Sequence, residues 1–108
     1  MVCITNGEPM GSTTSIALSG MQAAQQQLNA AAGNVANLGT PDYRRQQVVQ
    51  TAEPQGGVAT RSERAAVPGE ALVQDMVVQL QARHAYLANL AVFRSADRIA
   101  GALLDTAA

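Results

Sequence analysis

The fold of this chain depends on the stretch Asn34-Val35-Ala36-Asn37-Leu38-Gly39-Thr40-Pro41-Asp42-Tyr43-Arg44-Arg45. It closes a long run of residues at helical spacing, and the helix is expected to end there because a residue before proline is pushed out of helical geometry. A second passage, Ala85-Tyr86-Leu87-Ala88-Asn89 followed by Ser95-Ala96-Asp97, lies inside another helical run near the C-terminus. This layout predicts two paired terminal helices with a polar loop at the far end.

The first helical region is predicted over residues 14–38. Its apolar positions alternate in steps of four and three residues, which is the spacing of one helix face packed on a partner helix. These positions are Ala17, Met21, Ala24, Leu28, Ala31, Val35 and Leu38. Most of them are small, so the seam favours close approach of a partner helix.

The second helical region is predicted over residues 70–106, and its apolar face changes side along the helix. Projected at 100° per residue, Leu72, Val73, Met76, Val77, Leu80, Leu87 and Leu90 share one side. Val92, Ile99 and Leu103 lie across the axis from them. We therefore expect a kink or break between about Tyr86 and Ala91, which would let both stripes face one small core.

These patterns predict one all-α domain, an antiparallel helical hairpin or small bundle with a flexible middle loop over residues 39–69 and a disordered N-terminal segment over residues 1–13. Within the loop, Gln46 to Thr51 could form a short extended segment. The residues expected to pack the helices are Met21, Leu28, Val35, Met76, Leu80, Leu87, Phe93, Ile99 and Leu103. On this view Leu80→Asp disturbs the fold, whereas Leu103→Asp disturbs assembly more than folding.

Composition excludes several classes of protein. A chain of 108 residues with net charge −1 and seven basic residues, all arginine, is one small domain without the clustered basic charge of a nucleic-acid-binding protein. The sequence contains no run of 18 or more apolar residues, so no membrane span is predicted. The first residues do not form a conventional secretory signal peptide, and Met10 is a second possible start.

Residues for catalysis or metal binding are scarce. Cys3 is the single cysteine, so an intramolecular disulfide cannot form. His84 is the single histidine, and its place at the rim of the apolar stripe favours a structural role. No nucleophilic triad, paired carboxylates or phosphate-binding loop can be assembled, so we expect no enzyme activity, cofactor, metal or small-molecule substrate.

The second helix carries more large apolar side chains than the first helix can cover. Apolar surface left over in this way usually marks a contact with another protein. The sequence therefore predicts an assembly or binding role, with a partner over the uncovered surface.

The two passages together resemble the flagellar axial proteins of bacteria, and the basal-body rod proteins in particular. The N-terminal likeness begins at Ser19-Gly20-Met21-Gln22-Ala23-Ala24 and continues through the Asn34–Arg45 stretch, where Asp42 stands at a position that is usually glycine in the family. The C-terminal likeness runs from Met76 to Leu104. The motif residues that the resemblance assigns to assembly are Asn34, Val35, Ala36, Asn37, Leu38, Thr40, Pro41, Tyr43, Tyr86, Asn89, Ala96 and Asp97.

The resemblance implies a non-catalytic subunit of the rod that spans the periplasm, exported through the flagellar type III apparatus without a cleavable signal peptide. Its partners would be other axial rod subunits or further copies of itself. The short middle segment is most similar to the small proximal-rod members. The alternative is a helical adaptor or secreted interaction protein, related to axial proteins but not built into a flagellum.

Overall fold

The computed structural model describes residues 9–107, with side chains described for residues 13–105. Helix α1 (Pro9–Ala36) is followed by strand β1 (Gln46–Ala52), strand β2 (Val58–Arg64) and helix α2 (Leu72–Ala107). Of the predicted N-terminal disordered segment, residues 9–13 lie in α1, and residues 1–8 lie outside the described part. The fold is two long helices with a β hairpin between them in sequence.

The all-α prediction is wrong, because the middle segment holds a two-stranded antiparallel sheet. Gln46 lies opposite Arg64, and Ala52 lies opposite Val58. Both strands contain β-branched residues, which favour extended backbone. The turn between them contains Gly56 and Gly57 at φ values of 97° and 93°, a region that side chains with a Cβ rarely adopt. The strands span residues 46–64 of the predicted flexible loop, and the short extended segment expected from Gln46 to Thr51 lies within β1.

The tip of the hairpin packs on the N-terminal half of α1. A Cβ atom on Gly56 would lie 2.6 Å from Cδ1 of Ile16, and one on Gly57 would lie 2.8 Å from Oγ of Ser19. The Ser19 hydroxyl also accepts a hydrogen bond of 3.1 Å from the backbone N–H of Val58. The two glycines thus allow both the turn and its close approach to the helix.

The two helices are antiparallel. Asn34 at the end of α1 contacts Asp75 at the start of α2, and Gly20 meets Asn89 further along. A Cβ atom on Gly20 would lie 2.6 Å from Nδ2 of Asn89, so the side chain of Asn89 occupies space that a larger residue at position 20 would need. Thr13 lines a groove together with Ala96, which continues the same pairing toward the other end.

The core is built mainly from alanine. The buried apolar residues among those described are Ala17, Ala23, Ala24, Ala30, Ala31, Ala82 and Ala96, and Asn34 and Asp75 are buried with them. Small side chains let two helices approach closely, and the dispersion contacts of many near atoms then stabilise the pair. The molecule is correspondingly thin, with extents of 61 × 26 × 15 Å.

This core corrects the expected packing of α2. The helix presents Asp75, Ala82 and Ala96 to α1, and the large apolar residues are turned away from it. Met76, Leu80, Leu87, Ile99 and Leu103 are all exposed, whereas Met21, Leu28, Val35 and Phe93 are half-buried. The reason is that a seam of alanines and one buried polar cluster fits α1 more closely than a row of leucines would.

The expected break in α2 is also wrong. The helix is continuous from Leu72 to Ala107, through the segment between Tyr86 and Ala91. The two apolar stripes therefore do not converge on one core, and Ile99 and Leu103 stay 53% and 59% exposed.

Candidate functional site

Asn34 is the centre of the hydrogen-bond network that joins α1, β1 and α2. Its Nδ2 donates to the backbone oxygen of Gln46 at 2.9 Å and to Oδ1 of Asp75 at 3.3 Å. Its Oδ1 accepts from the backbone N–H of Gln46 at 2.8 Å and from the hydroxyl of Tyr43 at 3.2 Å. All four hydrogen bonds that an asparagine amide ordinarily makes are thus satisfied, although the residue is only 3% exposed.

The charged part of the network is the ion pair between Arg45 and Asp75. Arg45 Nε donates to Oδ2 of Asp75 at 3.2 Å, and Nη2 donates to Oδ1, so the contact is bidentate. The side chains are 14% and 2% exposed. The hydrogen bond to Asp75 raises the pKa of Arg45 above its ordinary value, with the carboxylate charge adding to it against the opposing effect of burial. Because the group is charged below its ordinary pKa, its contribution to stability is lost only as the pH rises through that raised pKa.

The end of α1 is capped within the motif. Asn37 donates from its side-chain Nδ2 to the backbone oxygen of Gly33 at 2.8 Å, which satisfies a carbonyl in the last turn of the helix. Thr40 then donates from Oγ1 to Oδ1 of Asn37 at 3.1 Å. The polar side chains of the motif therefore have local structural partners, and they hold the chain as it leaves the helix.

The chain then turns at Asp42, which has φ 61°. This left-handed conformation favours glycine, the residue that the resemblance places at this position. The next residue, Tyr43, is stacked under the guanidinium of Arg64, whose carbon lies 5.3 Å from the ring centroid. The backbone at Asp42 thus has the left-handed conformation that glycine favours, although the residue is aspartate.

Asp42→Gly is expected to stabilise the protein by up to about 1 kcal/mol. Glycine removes the steric strain that a Cβ atom causes in the left-handed conformation, and the greater conformational entropy of the unfolded glycine variant offsets only part of this gain. Urea unfolding followed by circular dichroism measures the change. The matched variant Asp42→Val is expected to lower the stability by more than about 1 kcal/mol, since β-branched residues strongly disfavour positive φ. Equal stability of the Asp42→Val and Asp42→Gly variants would contradict the conformational argument.

The other predicted motif residues do not converge on one site. Around the network, Val35 and Leu38 are half-buried, and Ala36 and Pro41 are exposed. On α2, Ala96 is buried, Tyr86 is half-buried and Asp97 is exposed. Asn89 donates to the backbone oxygen of Ala85 at 2.8 Å and borders Gly20. The C-terminal motif residues are therefore spread along α2, away from Asn34, and Ala96 and Asn89 are the ones that border α1.

Sequence reasoning missed Asp75 and Arg45 as members of the network. The signal that could have found Asp75 is its heptad relation to Ala82, Asn89 and Ala96, which places all four on one helix face. A carboxylate on the face that packs against α1 requires a partner, and Arg45 supplies it.

The surface of α2 that faces away from α1 is the main candidate for assembly. We call it the outer face, and it consists of Val73, Met76, Val77, Leu80 and Leu87, which are 75%, 54%, 45%, 57% and 49% exposed. At 100° per residue these five positions fall within one side of the helix. Large side chains exposed contiguously on one helix are typical of a protein contact surface.

A second apolar surface lies near the end of α2. Val92, Ile99 and Leu103 are exposed, and the first two border an open groove of about 350 Å³ with Thr13, Ala91, Ser95 and Ala96. This surface, the tail stripe, is separate from the outer face because the helix presents it on a different side.

Within the described residues, no group of three or more His, Cys, Asp or Glu side chains is placed to hold a metal ion. Over residues 9–107, neither helix combines the length and hydropathy that crossing a bilayer requires. His84 is exposed on α2.

The comparison with protein families finds a match to the family described as flagella basal body rod protein, over residues 15–44. The resemblance to the flagellar rod family is confirmed. The matched residues comprise most of α1 and the motif as far as Arg44, including Asn34, Asn37 and Tyr43. The comparison with curated proteins finds no match for this chain.

The flagellar rod family match supports a structural role in the basal-body rod and a location at the basal body. Rod proteins are a structural family, and the match therefore favours a structural role over an enzymatic one. The family also implies assembly with other flagellar rod components. The network around Asn34 gives the matched segment a physical meaning, since it fixes α1, the turn and the first strand relative to α2.

Proposed function

We propose that this chain is a non-catalytic structural subunit of the flagellar basal-body rod that assembles through its paired terminal helices. The observation that carries the proposal is the outer face, where five large apolar side chains of α2 remain 45–75% exposed. A neighbouring subunit would bury them. At about 25 cal/mol per Å² of apolar surface, such burial supplies the driving force for association.

The network around Asn34 supports this role by making α2 a defined surface. Asn34 and Asp75 tie the end of α1 to the start of α2, close to Val73 and Met76 of the outer face. A contact surface is more effective when it is held in place before binding, because less conformational entropy is lost on association. The motif residues thus act by positioning the helices, while the outer face makes the contact.

The partners in this proposal are other axial rod subunits, and further copies of the chain if the rod contains several. The hairpin of residues 46–64 takes the place of a larger inserted domain, which favours the small proximal-rod members. The proposal includes export through the flagellar type III apparatus without a cleavable signal peptide, and incorporation into the rod that spans the periplasm.

The test is the isolation of basal bodies from a flagellated bacterium that expresses the chain with a small C-terminal tag. We expect the tagged chain to copurify with the basal body after detergent extraction and to be absent from basal bodies of an export-deficient strain. Tagged protein found only in the medium or the cell extract, with normal basal bodies lacking it, would instead support the adaptor or secreted interaction protein.

A further inference from the structure

The outer face of α2 continues in the same register beyond Leu87. Positions that alternate in steps of four and three residues stay on one side of a helix that packs against a partner helix. From Val73 this row runs through Leu80 and Leu87 to Arg94 and Arg98. The row is therefore mainly apolar as far as Leu87 and ends with two arginines, which we call the arginine pair.

The arginine pair lies on the side of α2 that faces away from α1. Ala96, which stands between the two arginines in sequence, is buried, whereas both arginines are exposed. At 100° per residue, Arg94 and Arg98 each lie about 160° around the helix axis from Ala96. The outer face and the arginine pair thus form one continuous surface along α2.

The arginine pair has no anionic partner within residues 13–105. The ion pairs of this part of the chain involve Arg45 and Arg61, and neither Arg94 nor Arg98 forms one. Like charges four residues apart on a helix repel each other and destabilise it. Carboxylates bound at this surface would offset that repulsion, and each can accept two parallel hydrogen bonds from a guanidinium.

A second copy of the chain does not fit this surface along its whole length. If two copies of α2 pair in parallel, the arginine pair of one lies against that of the other, which is repulsive. If they pair antiparallel with their apolar halves matched, the arginines extend past the start of the other α2 at Leu72. Helix α1 has no charged residue between Pro9 and Ala36, so it offers the arginines no carboxylate.

We propose that the outer face and the arginine pair together bind an amphipathic helix of a different protein, whose carboxylates meet Arg94 and Arg98. The apolar side chains of that helix cover the row from Val73 to Leu87. This inference rests on the proposed function in the rod, and it gives the chemistry of the neighbouring subunit at the outer face.

The two halves of the surface have different roles in this contact. Burial of the apolar half provides the association energy, in proportion to the apolar area removed from water. The arginine pair provides specificity, because charged groups on an interface exclude partners that lack the complementary charge. Since the positive charge lies at one end of the row, it also fixes the direction in which the partner helix lies along α2.

The first test is photocrosslinking from Ala91, which is exposed and lies in the row between Leu87 and Arg94. The full chain is expressed in a flagellated bacterium with benzoylphenylalanine at position 91, and mass spectrometry identifies the crosslinked peptide. We expect a segment of another protein with apolar residues at helical spacing and at least two carboxylates within about two turns. A crosslink to a second copy of this chain, or to a segment without carboxylates, would overturn the proposal.

Charge reversal measures the contribution of the arginine pair. Arg98→Glu is expected to lower the amount of tagged chain in isolated basal bodies at least about tenfold, because a carboxylate then faces the carboxylates of the partner. Arg44→Glu makes the same change of charge at an exposed arginine outside α2 and is expected to leave incorporation unchanged. Circular dichroism checks the fold, and the neutral variant Arg98→Gln replaces Arg98→Glu if the latter unfolds.

The outcomes separate this inference from the proposed function. Incorporation of Arg98→Glu at the wild-type level, with loss of incorporation in Leu80→Asp, would overturn the role of the arginine pair and leave the rod proposal intact. A crosslink to an acidic helix in cells whose basal bodies lack the tagged chain would support the inference and contradict the rod proposal. Recovery of Arg98→Glu by an arginine in place of a carboxylate residue in the crosslinked segment would establish the direct contact.

Discussion

Replacing Arg45 with methionine is expected to lower the free energy of unfolding by about 3–5 kcal/mol, because it leaves the carboxylate of Asp75 buried without its ionic partner. Methionine keeps much of the side-chain volume and isolates the loss of charge. Among the described residues, the carboxylate would retain only the hydrogen bond from Asn34, at 3.3 Å. Since small domains are stable by only about 5–15 kcal/mol, this change removes a large part of the total. Urea unfolding followed by circular dichroism measures it.

Arg44→Met is the matched control for this prediction. Arg44 is the neighbouring residue, its side chain is exposed, and its substitution removes the same charge. We expect it to change stability by no more than about 0.5 kcal/mol. The double variant Arg45→Met with Asp75→Leu is expected to recover part of the loss, because neither partner then remains as an unpaired buried charge. Equal stability of Arg44→Met and Arg45→Met would refute the structural role of the ion pair.

Leu80→Asp is expected to abolish rod assembly, and with it swimming, while leaving the isolated protein folded. Leu80 is 57% exposed, so an aspartate there remains in water in the free subunit. In an assembled rod the same carboxylate would lie against apolar surface without a partner, which costs several kcal/mol. Complementation of a strain that depends on this chain for motility, together with circular dichroism of the purified variant, measures both effects.

Gln81→Asp is the matched control for the outer face. Gln81 is the next residue on α2, it is exposed, and its substitution adds the same charge on another side of the helix. We expect motility to be retained. Loss of helicity in Leu80→Asp would restore the sequence-based expectation that Leu80 packs the fold, whereas full motility with both variants would exclude the outer face from assembly.

The helices could be predicted from the sequence because their signals are local. The spacing of apolar residues from Ala17 to Val35 and the stop at Gly39-Thr40-Pro41 depend only on neighbours along the chain. The antiparallel pairing of the two helices followed from the position of the helix-breaking segment between them. A short extended segment was expected from Gln46 to Thr51, but its pairing into a hairpin was missed. Each strand has only seven residues, and neither the glutamine-rich first strand nor the polar second strand alternates cleanly between apolar and polar residues. Gly56-Gly57 between two runs with β-branched residues was the available signal.

Hydropathy alone could not predict which face of α2 packs against α1. Large apolar residues usually lie in the core, and Leu80 and Leu87 therefore suggested the packed face. The structure instead packs Asp75, Ala82 and Ala96 against α1, because close contact between small side chains and one saturated polar cluster outweighs the burial of a few leucines. Because the large apolar side chains of α2 stay exposed, this helix departs from the usual relation between hydropathy and burial.

The pairing of Asn34 with Asp75 also determines when during synthesis the fold can close. The two residues are 41 positions apart, and the pairing of Gly20 with Asn89 spans a still longer part of the chain. Contacts between distant residues form slowly, since a long loop must close before they become favourable. A ribosome that has made only α1, the motif and the hairpin has produced a segment whose central asparagine still lacks its partner on α2. Helix α2, which is translated after them, is therefore the part that completes the network around Asn34.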